Sequence, residues 1–209
     1  MKERIKESII GWFASLAIAL IIVFVLKTFV GMPTTVKGTS MATTLHPEDK
    51  LFLSTWDVNF SNIPKRGAIV TFEAPSVEYL TDSCDCTAIY TSNSRSFFQK
   101  LLYYSLGISS SSYVKRVIGL PGEHIEIKEG SVYINGIKYQ EDYLNESIKT
   151  DMSLGGLCGD IVVPEGCVYV LGDNRSASID SRRFGCIPVC KIEGKVVARW
   201  WPIEHRGTV

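Results

Sequence analysis

The sequence predicts a mainly β domain of antiparallel sheet preceded by one N-terminal apolar helix. Three observations predict it. A single unbroken apolar run occupies residues 9–30, and no later run approaches that length. Beyond residue 31, short β-branched and aromatic runs alternate with turn residues. Among them, Asn135-Gly136 separates SVYI from IKY, and both central positions of a type I′ hairpin turn need positive φ.

The apolar run, IIGWFASLAIALIIVFVLKTFV, would extend roughly 33 Å as a helix, against about 30 Å of bilayer hydrocarbon. It exceeds a signal-peptide core of roughly 7–15 residues, and no small-x-small site follows it. A retained, single-pass transmembrane anchor over 9–30 is therefore expected. Lys27 lies close enough to the end of the run to snorkel to the interface. Lys2, Arg4 and Lys6 mark residues 1–8 as a cytoplasmic tail, which leaves 31–209 as the extracytoplasmic body.

In that body, strands are expected at 51–55, 68–72, 113–118, 124–128, 131–134, 137–139, 161–163, 167–171 and 195–200. Pro121-Gly122 and Pro164-Glu165-Gly166 provide turns between them. The strands from about 123 to 165 form a smaller lobe. Two stretches break the pattern. Residues 76–112, rich in Ser, Thr and Tyr, interrupt two strong strand signals as an insertion, in which 96–107 could form a short helix. Residues 140–160 are polar and contain glycine, as a long loop does.

Composition excludes several functions. The 22 basic and 22 acidic residues cancel, so no basic field points to nucleic acid. Cys84, Cys86, Cys158, Cys167, Cys186 and Cys190 all lie outside the anchor, where oxidation is expected, in a connectivity the sequence does not choose. Cys84-Asp85-Cys86 is CxC rather than CxxC, and no histidine cluster accompanies it, which argues against structural zinc. His46, His124 and His205 fit no metal or catalytic pattern.

Ser40, about nine residues past the apolar run, lies in Gly38-Thr39-Ser40-Met41-Ala42. This string approaches a nucleophile elbow, but Ala42 replaces its last glycine and the strand–helix context is missing. A lysine can activate a serine instead, provided burial keeps the amine neutral. Lys115 is the best candidate. Strand alternation places it on one face with Tyr113 and Val117, and Arg116 on the other. The polar string GDNRSASIDSRRFG, 172–185, follows an apolar strand and could equally be a structural turn with an Asp–Arg pair.

Together, VKGTSMATTL around Ser40, GAIVTF at 67–72, YVKRVIGLPGE at 113–123 and GDNRSASIDSRRFG resemble, in the same order, the type I signal peptidases of the Gram-positive-like branch. These are membrane-anchored serine/lysine proteases with a β-sheet catalytic domain. The resemblance spans most of the chain except 76–112 and about 140–160. It implies Ser40 as nucleophile and Lys115 as general base, with Ser178 hydrogen-bonded to the lysine. It implies further support from Asp180, Arg182, Arg116 and Asp173. Gly38 stands where some members carry a hydroxyl donor to the oxyanion. Thr43, Ala68, Glu123 and Ser176 depart from the usual pattern.

The implied activity is cleavage of signal peptides from exported preproteins after Ala-x-Ala-type sites, without cofactor or metal. The implied partners are those signal peptides, membrane lipid and the nearby export channel, with no nucleic acid. Met41 and the pair Trp200-Trp201 are candidates to touch the lipid interface, with core packing the expected reading for the tryptophan pair. Two alternatives stay open: a dedicated processing peptidase of a surface-fibre system, and an inactive anchored β-domain that binds exported proteins.

Overall fold

The computed structural model describes residues 2–25, 31–56, 62–76, 86–91, 111–152 and 156–208. The N-terminal segment is helical from Lys2 to Val25 (α1), and its described side chains from Ile9 to Val23 are all exposed. Residues 26–30 of the expected anchor lie outside the described residues. Among the described residues, no helix is long and apolar enough to cross a membrane.

The remainder is mostly antiparallel β. In chain order the strands are β1 (Met32–Thr35), β2 (Lys50–Ser54), β3 (Ile69–Glu73), β4 (Ser112–Gly119), β5 (His124–Lys128) and β6 (Ser131–Ile134). They continue as β7 (Ile137–Lys138), β8 (Asp160–Val162), β9 (Cys167–Leu171), β10 (Ile187–Pro188), β11 (Ile192–Trp201) and β12 (Gly207–Thr208). A larger sheet runs β1-β2-β11-β3-β4-β9-β10, with β12 on β11. A smaller one runs β7-β6-β5-β8.

All nine expected strands form, within a residue or a few at each end. Asn135 and Gly136 have φ of 52° and 79°, and Ile134 faces Ile137 across the turn, as a type I′ hairpin requires. Three strands were not expected: β1, β10 and β12. Their sequences, MPTT, IP and GT, are too short or too broken by Pro and Gly to show a period of two. Each is created by a longer neighbour that supplies the hydrogen-bonding edge.

The core is organised by β9, whose five residues CVYVL are all buried. Val168 and Val170 point into one cluster with Val70, Phe72, Val117 and Phe184. Tyr169 and Leu171 alternate into another, with Ile118 of β4 and Ile125, Val132 and Ile134 of the small sheet. A third cluster, Val36, Met41, Leu45, Leu51, Leu53, Ile69 and Val196, underlies the chain around Ser40.

Residues 86–91, within the insertion, are sewn onto the main sheet. The Cys186 N–H donates to the Cys86 carbonyl (2.6 Å), and the Ala88 N–H donates to the Cys186 carbonyl (2.8 Å). The Cys86 carbonyl passes so close to Gly185, at φ 83°, that a Cβ there would collide with it. Cys86 also forms a disulfide with Cys158 across 72 residues of sequence. Cys167 and Cys186 are buried thiols, and Cys190 is exposed. The helix considered for 96–107, like Cys84, lies outside the described residues.

Closing so long a loop constrains the unfolded chain. Cys86→Ala or Cys158→Ala should therefore lower the unfolding free energy by about 2–4 kcal/mol in urea denaturation. Excess reductant should move the wild type to the same midpoint; unchanged midpoints would show that the loop is held by packing alone.

Candidate active site

Ser40 opens a tight turn that follows β1. The Ala42 N–H donates to the Thr39 carbonyl (3.0 Å), and the Thr44 and Leu45 N–H groups donate to the Met41 carbonyl (2.8 and 2.7 Å). Met41 and Leu45 anchor this turn in the third core cluster and are fully buried. Met41 is therefore not a lipid-facing residue. Its side chain is consumed by the core beneath Ser40, and its sulfur accepts the Asp173 N–H at 3.4 Å.

Lys115, from the middle of β4, donates through Nζ to Ser40 Oγ at 2.7 Å and to the Val114 carbonyl at 3.2 Å. The two residues are 75 apart in sequence. Lys115 is only 3% exposed. Burial disfavours its ammonium and outweighs the opposing pull of Asp180 and Asp173, while Arg182 acts with burial. The result is a pKa lowered to about 8.

Those two carboxylates do not neutralise the lysine because each has its own arginine. Arg116 grips Asp173 with two hydrogen bonds (2.9 and 2.6 Å). Arg182 grips Asp180 in the same way (2.8 and 2.9 Å). Arg116 does lie on the other side of β4 from Lys115, but it is buried rather than solvated. It is stacked on the Tyr143 ring at 3.9 Å. Asp180 also accepts the Gly172 N–H (3.0 Å) and the Arg182 N–H at the start of a short helix, α2 (Ser181–Phe184).

Ser178 is buried in this group, yet its Oγ has no hydrogen-bond partner among the described residues. The expected bond to Lys115 is not formed: the amine donates to Ser40 and to the Val114 carbonyl. Ser178 packs instead against Gly172, where any Cβ would strike both its hydroxyl and the Ser40 carbonyl. Gly38 is exposed with open space around it, so it brings no donor to the site. Glu123, a departure from the resembled pattern, accepts from Arg66 (2.9 Å) and from the Leu120 N–H (2.8 Å) and closes its turn.

Several partners gave no signal in the sequence. Thr44 Oγ1 donates to Asp173 at 2.6 Å. Arg175, fully buried, donates to the Gly172 carbonyl (3.0 Å), to Thr150 and to Glu141 (2.9 Å). The long polar loop is thus fastened to the back of the site. Asn174 donates twice to the chain at Ser40, through its backbone N–H to the Ser40 carbonyl (3.0 Å) and through Nδ2 to the Thr39 carbonyl (3.1 Å). Only the second half of such pairs could be guessed from spacing, since each joins segments far apart in sequence.

A serine hydroxyl lies 2.7 Å from a buried lysine amine, an arrangement that hydrolases with a hydroxyl nucleophile can use. The chain matches the signal peptidase, peptidase S26 family over residues 9–201 and belongs to that family. It is 34% identical over 185 residues to signal peptidase I P of Bacillus subtilis subsp. natto, covering 87% of this chain and 82% of that one. It is 32% identical over 212 residues to signal peptidase IB of Staphylococcus aureus (strain COL), covering 96% and 93%. A crystal structure of a signal peptidase I from Enterococcus faecalis V583 aligns with a TM-score of 0.41 and 28% identity, covering 64% of this chain and 97% of that one.

A base with a pKa near 8 must lose its proton to work. Activity should therefore rise with pH through a limb near 8, with about one lysine in ten neutral at pH 7 and about nine in ten at pH 9. A kcat/KM profile measured over pH 6–10 checks this; a flat profile or a limb near 10 would exclude Lys115 as a desolvated base.

Proposed function

We propose that the protein is a membrane-anchored serine endopeptidase that removes N-terminal signal peptides from exported preproteins. The observation that carries this is the 2.7 Å contact between a buried lysine and Ser40, in a chain of the signal peptidase family. Neutral Lys115 takes the Ser40 proton, and Ser40 Oγ attacks the scissile carbonyl to form a tetrahedral intermediate. The Ser40 N–H donates to the oxyanion. Lys115 then gives its proton to the leaving amine, and later activates the water that hydrolyses the acyl-enzyme.

The substrate is an extended peptide with small residues, typically Ala, at the −1 and −3 positions, bound by strand addition. The alternative of an inactive binding domain has no use for an amine whose burial is so costly. Nothing among the described residues favours a surface-fibre specialist over general preprotein processing.

Residues 9–30 would anchor the enzyme, with 1–8 cytoplasmic and 31–209 outside, at the depth where a signal peptide crosses the bilayer and near the export channel. The body also offers a lipid-facing rim. Trp200 and Trp201 are 44% and 46% exposed, Ile203 is 68% exposed, and Lys50 Nζ lies 5.3 and 5.8 Å from the two indole rings. Aromatic rings beside a cation suit the headgroup zone.

Ser40→Ala and Lys115→Ala should each lower cleavage of a preprotein with an Ala-x-Ala site by about a thousandfold or more. Sequencing of the mature N-terminus checks the bond cut, and near-normal turnover by either variant would remove the dyad. In bilayers containing brominated lipid, full-length protein with both Trp200→Phe and Trp201→Phe should lose a quenchable part of its fluorescence. Unaltered quenching would place the pair away from lipid.

A further inference from the structure

The oxyanion site is the least furnished part of this centre. Gly38 carries no hydroxyl, so the Ser40 N–H must act without side-chain help from that position. Its direction then matters more than usual, because a donor stabilises the oxyanion only when aimed at where the charge develops. The Ser40 N–H belongs to the planar trans peptide that also contains the Thr39 carbonyl, and the two groups point in opposite directions. Whatever holds the Thr39 oxygen therefore aims the Ser40 N–H.

Two donors hold it. One is the Ala42 N–H, within the turn itself, at 3.0 Å. The other is Asn174 Nδ2 at 3.1 Å, reaching across from a segment 135 residues away. The backbone N–H of Asn174 holds the next peptide as well, through the Ser40 carbonyl at 3.0 Å. One residue thus fixes the peptides on both sides of the nucleophile. The amide has a defined orientation, since the Thr39 carbonyl can only accept and so takes Nδ2, which leaves Oδ1 to accept from Ser176 Oγ at 3.3 Å. Ser176 is one of the positions at which this chain departs from the resembled pattern. Asn174 also follows Asp173, which Arg116 ties to the strand of Lys115. Nucleophile, base and peptide plane are therefore braced on one frame.

We propose that Asn174 is a positioning residue that aims the Ser40 N–H at the oxyanion by holding the Thr39 carbonyl. The proposal rests on Ser40 being the nucleophile. Its prediction separates transition-state effects from ground-state binding. Asn174→Ala removes the amide, and Asn174→Leu keeps its shape without a donor; both keep the backbone N–H bond to Ser40.

The test uses the full chain in detergent, with a preprotein bearing an Ala-x-Ala site. Two probes accompany it, a peptide aldehyde matching the cleavage site and the corresponding product carboxylate. With the aldehyde, Ser40 Oγ bonds to the carbonyl carbon, its proton passes to Lys115, and the carbonyl π pair moves onto oxygen at the oxyanion position. In both variants kcat and aldehyde affinity should fall about tenfold, in line with loss of one partly exposed hydrogen bond. KM and product-peptide affinity should stay within about twofold, and the pH limb near 8 should not move.

Unchanged kcat in both variants would overturn the proposal. So would equal losses for aldehyde and product, a displaced pH limb, or failure of both variants to fold, each of which makes the role general rather than directional. Ser40→Ala in the same assay separates the two levels. If Ser40→Ala cleaves like wild type, the nucleophile assignment fails; if it is silent while the Asn174 variants are fully active, only the proposal fails.

Discussion

The site centres on one amine buried among carboxylates, whose pKa desolvation lowers to about 8. Lys115 is buried against Ser40 with Asp173 and Asp180 close enough to pull its pKa upward. Either carboxylate, if left unpaired, would pull that pKa further upward. Arg116 and Arg182 prevent that by engaging each carboxylate with two hydrogen bonds. Buried ion pairs of this kind are poor stabilisers compared with apolar packing. Here Arg182 also opposes that pull directly, since its charge acts with burial to lower the lysine's pKa.

The same pairs also act as struts. Asp173 receives Thr44 from the turn at Ser40 and Arg116 from the strand of Lys115, so it bridges the two segments. Asp180 holds the Gly172 N–H, and Gly172 in turn has no room for a side chain between Ser178 and the Ser40 carbonyl. Behind them, Arg175 and Tyr143 draw in the long loop around Glu141 and Thr150. The small sheet is thereby connected to the catalytic centre through polar contacts as well as through the core around Tyr169.

Membership of the signal peptidase family leaves room for what is particular to this chain. The insertion is held down by the Cys86–Cys158 disulfide and by hydrogen bonds at Cys186, just after the helix that carries Arg182. Its anchorage thus abuts the element that restrains Asp180.

The sequence by itself determined the β class, nine strand positions, the Asn135-Gly136 turn and the candidacy of Ser40 and Lys115, while Asp173 and Asp180 came from the resemblance. Strand period and turn chemistry are local properties, and the remaining residues stood in recognisable strings. Tertiary structure alone decided the edge strands β1, β10 and β12, which exist only because a neighbour offers hydrogen bonds. It also decided that Met41 is core, that Ser178 does not bond Lys115, which of the cysteines join, and that Asn174 grips both peptides at Ser40. Each of these depends on a distance between segments far apart in the chain. No local pattern encodes such a distance, because packing sets it after the strands have formed.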